Sequence, residues 1–87
     1  MQDKSIEKIT NLMDELQKAV SEYNKTREQG APLMVAATVW SHKKEIMVRN
    51  APKDWSKYMF ESGGGTYSKT VNGVELWEVF HEAERGA

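Results

Sequence analysis

Apolar side chains recur along the first third of the chain at Ile6, Ile9, Met13, Leu16, Val20 and Tyr23. The intervals alternate between three and four residues, which lines up one face of an α-helix as a heptad stripe. Leu12 and Ala19 widen the stripe on one side, as in a helix that packs on a core. With Asp3 or Ser5 as N-cap and Gly30 with Pro32 as the stop, the pattern predicts a helix over Lys4–Glu28. Such a helix is about 37 Å long at ~1.5 Å per residue, whereas an eight-residue strand spans about 27 Å at ~3.4 Å per residue. One end is therefore expected to overhang a small sheet. Two arrangements satisfy this: the overhang packs against a partner, most simply a second copy of the chain, or the helix crosses the sheet diagonally and frays over Asn24–Gln29.

The period changes after Pro32. Leu33–Trp40 is nearly all apolar and carries no charge, which reads as a strand covered on both faces and hence central in its sheet. Strict alternation puts Leu33, Val35, Ala37 and Val39 on one face and Met34, Ala36, Thr38 and Trp40 on the other. The small Ala36 and Ala37 admit close approach by a helix or a neighbouring subunit. A polar turn, Ser41–Lys44, leads into a second strand, Glu45–Arg49, and Asn50-Ala51-Pro52 ends this hairpin. Pro52 suits the first position of a helix, Asp54 its first turn, and Trp55, Tyr58 and Met59 fall at i, i+3 and i+4. A short helix over Pro52–Glu61 is the expectation, with a strand over Lys57–Glu61 as the competing reading because Tyr58 and Phe60 alternate.

Thr66–Val71, Asn72-Gly73 and Val74–Phe80 form a two-residue hairpin signal, since Asn-Gly readily adopts the positive φ angles of a type I′ turn. That register opposes Val71 to Val74, Lys69 to Leu76 and Ser68 to Trp77. Trp77 and Val79 then share one face and Val74, Leu76 and Phe80 the other, so one face is core and the other is covered or binds something. Residues 81–87 read as a frayed acidic tail. The expected architecture is one α+β domain over residues 1–87. A long N-terminal amphipathic helix (1–30) packs on a small, about four-stranded antiparallel sheet (31–80), with a short helix between two hairpins.

Composition narrows the picture further. Eighty-seven residues make one small domain with little margin of stability. Cysteine is absent, which excludes a disulfide framework, thiolate chemistry and cysteine-ligated zinc. No run of ~18 apolar residues exists to span a membrane, and Met1–Lys4 leads into a charged amphipathic segment rather than an apolar signal core. A cytoplasmic protein without membrane partners is expected.

The formal charge of −1 excludes a generic polycation but hides an uneven distribution. Residues 1–30 carry five basic and six acidic groups, residues 31–72 six and three, and residues 73–87 one and four. The basic middle (Lys43, Lys44, Arg49, Lys53, Lys57 and Lys69) is interleaved with Trp40, Trp55, Tyr58 and Tyr67. Cations that reach phosphates beside rings that stack on bases are what a single-stranded nucleic acid groove needs. The alternative is core rings with a solvated rim of lysines.

Candidate catalysis is sparse. A His42–Glu45 pair has the residue types for acid–base work, set against an exposed turn histidine beside ordinary surface charge. His81 with Glu78, Glu82 and Glu84 offers weak metal ligands, set against a solvated acidic terminus. In Ser62–Thr66 the glycine amides follow the expected short helix instead of opening one, the wrong order for a phosphate cradle. The run reads as a flexible connection that can serve as a flap. No cofactor, metal site or catalytic residue is assigned.

The leading expectation is a small non-enzymatic protein-interaction module, a homo-oligomeric regulator or inhibitor of the kind a virus or mobile element carries, with Met13, Leu16, Val20, Tyr23, Trp40 and Trp77 at its interface. The alternatives are nucleic-acid binding through Lys43, Lys44, Arg49, Lys53, Trp55, Lys57 and Tyr58, and a small-molecule-binding domain with its pocket between helix and sheet.

Overall fold

The computed structural model of the chain describes residues 2–81; Glu82, Glu84 and the rest of the acidic tail after His81 lie outside the described residues. The fold is α+β. One helix, α1 (Gln2–Thr26), precedes five strands: β1 (Leu33–Val39), β2 (Lys44–Arg49), β3 (Ser56–Met59), β4 (Gly65–Val71) and β5 (Val74–Phe80). The strands form one sheet in the order β1-β2-β5-β4-β3. All neighbours are antiparallel except β2 and β5, which run parallel. The expected four-stranded antiparallel sheet is thus five-stranded and mixed.

The heptad pattern forms its helix, shifted by two residues at each end. Asp3 lies within the first turn, where its charge favours the positive end of the helix dipole. Gly30, at φ 91°, serves the turn after the helix, closed by the Ala31 N–H donating to the Glu28 carbonyl (3.0 Å). The C-terminal turn is not frayed at Asn24. The side-chain amide of Asn24 donates to the Met34 carbonyl (2.8 Å) and accepts from the Met34 N–H (2.9 Å). The Tyr23 hydroxyl donates to the Pro32 carbonyl (2.7 Å). Together these fix the helix against β1.

The hairpin of β4 and β5 has the expected register: Val71 faces Val74, Lys69 faces Leu76 and Ser68 faces Trp77. Asn72 and Gly73 both take positive φ, 51° and 78°, as a type I′ turn demands.

The expected helix over Pro52–Glu61 does not form; the competing strand does, as β3. The reason is reach. β2 and β3 are separated by β5 and β4, so residues 50–55 must travel about 14 Å sideways at ~4.8 Å per strand spacing. Six residues rise only about 9 Å as an α-helix; the crossover instead holds a single turn, with the Trp55 N–H donating to the Pro52 carbonyl (3.2 Å), before β3 pairs with β4. Asn50 takes φ 59° to turn out of β2, a conformation that asparagine tolerates.

This crossover closes the core. Partners across the sheet place Ile46, Val48, Val74, Leu76, Phe80 and Tyr67 on one face. Val48, Tyr67, Leu76 and Phe80 are buried there with Ala51 of the crossover, and Trp55 packs against them. The Tyr67 and Phe80 rings stack at 4.9 Å, with the Lys57 ammonium over both. Glu78, on the same face, holds the crossover down: its carboxylate accepts from the N–H of Asn50 (3.1 Å) and of Ala51 (3.0 Å).

Two further expectations change. Leu33–Val39 is an edge strand, not a central one, and its alternation is broken by an irregularity between Met34 and Ala36. Met34 faces Val48 and Ala37 faces Ile46, so those two residues share the core face. The glycine run is packed instead of forming a flap: Gly64 and Gly65 are buried. A Cβ on Gly64 would meet the Phe80 carbonyl, and one on Gly65 the Tyr58 carbonyl.

Glu78→Ala strips the carboxylate from two backbone donors, one of them on a buried residue. A loss of about 1.5–3 kcal/mol in folding stability is expected by urea unfolding, the range for hydrogen bonds to a charged acceptor. A change under ~0.5 kcal/mol would show that the crossover does not depend on this clamp.

Candidate functional site

The helix stripe has little covering. Ile6, Ile9, Leu12 and Met13 are each more than half exposed, Met13 at 61%. Val20 and Tyr23 are half-buried near the anchor. No residue of α1 joins the core cluster, which comes from the sheet and the crossover. The principal axes, 53 × 30 × 21 Å, reflect a helix longer than the sheet it meets. Between them lies an open groove of ≈ 1090 Å³ walled by Ile9, Leu12, Met13, Leu16 and Val20, with Asp14, Gln17, Ser21 and Lys25, on the helix side and by Met34, Val35, Ala36, Ala37 and Val39 on the other.

Ser5, Thr10, Leu12, Gln17, Ala19, Asn24 and Thr26 flank this stripe without charge, while Asp14 and Lys25 also border the groove. Lys18 pairs with Asp14 at 3.1 Å, and Lys4, Glu7, Lys8 and Glu15 gather around Leu12 on another side of the helix. Flanking charges set partner choice in helix pairs. Here the groove is bordered by one charge of each sign, Asp14 and Lys25.

The sheet face opposite the core carries a second feature. Glu45 and Glu75 are register partners, as are Met47 and Trp77, and Trp40 projects to this side because its neighbour Thr38 pairs with Glu45. The Glu45 carboxylate accepts from the Trp40 indole N–H (2.6 Å) and from the Trp77 indole N–H (2.7 Å), with the Lys43 ammonium at 3.4 Å. Lys43 also lies over the Trp40 ring. The Trp40 hydrogen bond first, then that of Trp77, with Lys43 adding, hold the Glu45 carboxyl below the usual glutamate value of 4.5. Met47, Val79, Tyr58 and Phe60 extend this face as exposed apolar surface.

The residues expected at the interface therefore fall in two places. Met13, Leu16, Val20 and Tyr23 follow the helix, and Trp40 and Trp77 meet through Glu45 on the open sheet face. The basic and aromatic residues of the middle segment are spread over both faces. Lys57 shares the core face with Tyr67, its strand neighbour Tyr58 points to the other, and Trp55 packs on the core. Arg49 lies on the side of Met47, Lys44 opposite. Lys53 is exposed on the crossover.

Glu45 is engaged by the two tryptophans and Lys43 rather than by His42, so the proposed acid–base pair is not assembled. Glu78 is committed to the crossover. Among the described residues no group of three or more metal-ligating side chains comes together, and no helix is long and apolar enough to cross a membrane. Sequence reasoning missed the anchoring role of Asn24 and the bridging role of Glu45. The first had a trace in the sequence, an amide beside the last stripe residue, Tyr23. The second depends on strands 32 residues apart in sequence. Comparison with protein-family models, with curated proteins and with solved structures returned no match.

Because the native Glu45 carboxyl is held low, its interactions stabilise the fold at pH above the ordinary glutamate value and are lost as pH falls through the lowered one. Tryptophan fluorescence is expected to change with a midpoint below pH 4.5 and before global unfolding. Glu45→Gln should remove that step. An unaltered transition in the variant would assign it to another group.

Proposed function

We propose that this chain is a non-enzymatic protein-interaction module of the cytoplasm that works as a homo-oligomer, acting as a regulator or inhibitor. The observation that carries this reading is the uncovered apolar stripe of α1, from Ile6 to Leu16, facing a groove against β1. Half-exposed side chains in this number leave several hundred Å² of contiguous apolar surface, on the scale of the ~800 Å² per partner of a standard interface. A 25-residue helix fixed at one end gains little from propensity alone and draws its stability from packing of its apolar face. Among the described residues five hydrophobic side chains are buried, a small core that leaves little stability in hand to offset an uncovered helix. A second copy, which brings the same apolar stripe and the same uncharged β1, is the simplest cover.

A second reading is favoured by one observation, the open sheet face with Tyr58 at 66% and Trp40 at 51% exposure. Such rings beside Lys43 and Arg49 suit stacking by single-stranded nucleic acid. Glu45 and Glu75 on the same face weigh against a polyanion, and we rank it below self-association.

Light scattering at ~100 µM should give the mass of a dimer or larger species, since a Kd of ~10 µM leaves most of the chain associated. Met13→Lys with Leu16→Lys, at exposed positions that leave the core intact, should weaken association about 100-fold or more, by burying unpaired charge. A wild-type mass of one chain at that concentration would overturn the reading. Binding of short single-stranded RNA that weakens steeply with salt and is lost in Tyr58→Ala would promote the second one.

A further inference from the structure

The unpaired edge of β1 has its own directionality. The Trp40 N–H donates inward, to the Lys43 carbonyl (2.8 Å). Alternation along the strand then turns the N–H and C=O of Thr38 and Ala36 towards β2, and those of Ala37 and Val39 away from it. At the other end Met34 also points outward, because its N–H and C=O are both taken by the Asn24 amide. The irregularity between Met34 and Ala36 accounts for this change of phase. The outer edge thus consists of one rung closed by Asn24 and open rungs at Ala37 and Val39, with no strand beside them.

Exposed edges are usually blunted by charge, proline or a covering segment. From Leu33 to Val39 there is no charged residue and no proline. The two exposed residues of the strand are Val35 and Val39, at 46% and 69%. In sequence they lie two residues to either side of Ala37.

We infer that β1 pairs with β1 of a second copy, antiparallel about a two-fold axis at Ala37, joining the two sheets into one. This rests on the self-association proposed above and specifies its geometry. A strand that pairs with itself across a two-fold meets an identical surface. Centring on Ala37 sets Val35 of each copy opposite Val39 of the other, a β-branched cross-strand pair, and no charge lies in the paired segment to oppose it. The small Ala36 and Ala37 leave room over the joint. The incoming strand enters the groove lined by Leu12, Met13 and Leu16, so the same docking covers the helix stripe. Asn24 ends the ladder by occupying the rung of Met34 and limits pairing to Val35–Val39. Without this stop an apolar edge risks pairing out of register.

The absence of cysteine makes the test direct. Opposed residues at the centre of an antiparallel pair have Cα atoms about 5.5 Å apart, inside the ~4.4–6.8 Å span of a disulfide. Under mild oxidation Ala37→Cys alone is expected to convert mostly to a disulfide-linked dimer. Val35→Cys or Val39→Cys alone should convert several-fold less, while an equal mixture of those two should form the mixed dimer. The mixture keeps the test valid if the central substitution disturbs folding. Val39→Lys should abolish the wild-type dimer by light scattering with an unchanged far-ultraviolet spectrum. A wild-type dimer whose Ala37→Cys and mixed Val35→Cys/Val39→Cys samples stay unlinked overturns the strand pairing and leaves helix-mediated association standing. A wild-type monomer at ~100 µM overturns both.

Discussion

The passage of residues 50–55 across the sheet is the constraint on which the rest of this structure depends. It puts β3 at the far edge, beyond β5 and β4, and leaves β2 to lie parallel beside β5. It also supplies Ala51 and Trp55 to the core face. A crossing of that length in six residues has room for one turn, at Pro52–Trp55, and not for a helix, and such backbone passing over an apolar face brings unpaired N–H groups with it. Glu78 meets two of them. Its carboxylate, half-buried on the same face, has both oxygens used by these donors.

One consequence falls on the helix. In many small α+β domains the helix covers the apolar face of the sheet. Here the crossover covers it, and α1 is displaced to the flank, against β1. Its contacts there are polar and local: Asn24 with the backbone of Met34, and Tyr23 with Pro32. The stripe that the heptad pattern built is left facing a groove. The apolar character of α1 and of β1 thus exceeds what the single chain buries, and this excess, more than any catalytic group, is the functional signal of the molecule.

The opposite sheet face is organised by one carboxylate. Glu45 draws two indoles together, so Trp40, which follows β1, and Trp77, on β5, are held in a fixed relation across β2. The arrangement stiffens the joint between the N-terminal hairpin and the rest of the sheet. It also keeps part of a large aromatic surface facing outward.

How much was legible beforehand follows from the range of each interaction. The helix, the hairpin of β4 and β5 and its full register were readable because they depend on spacings of three, four or two residues and on the local preference of Asn-Gly. Over residues 52–61 the local signals divide, Pro52, Asp54 and the i, i+3, i+4 spacing pointing to helix and the alternation of Tyr58 and Phe60 to strand, and pairing with β4 decides for the strand. Leu33–Val39 was placed centrally because an uncharged apolar run has the same appearance whether its cover comes from its own chain or from another. By itself the sequence determined which residues are apolar, where they recur and where the chain turns. The tertiary structure decided which of those surfaces remain uncovered, since that depends on which segment reaches the core first and holds it. The crossover did, with Glu78 as its clamp, and the helix stripe and the β1 edge were left for a partner.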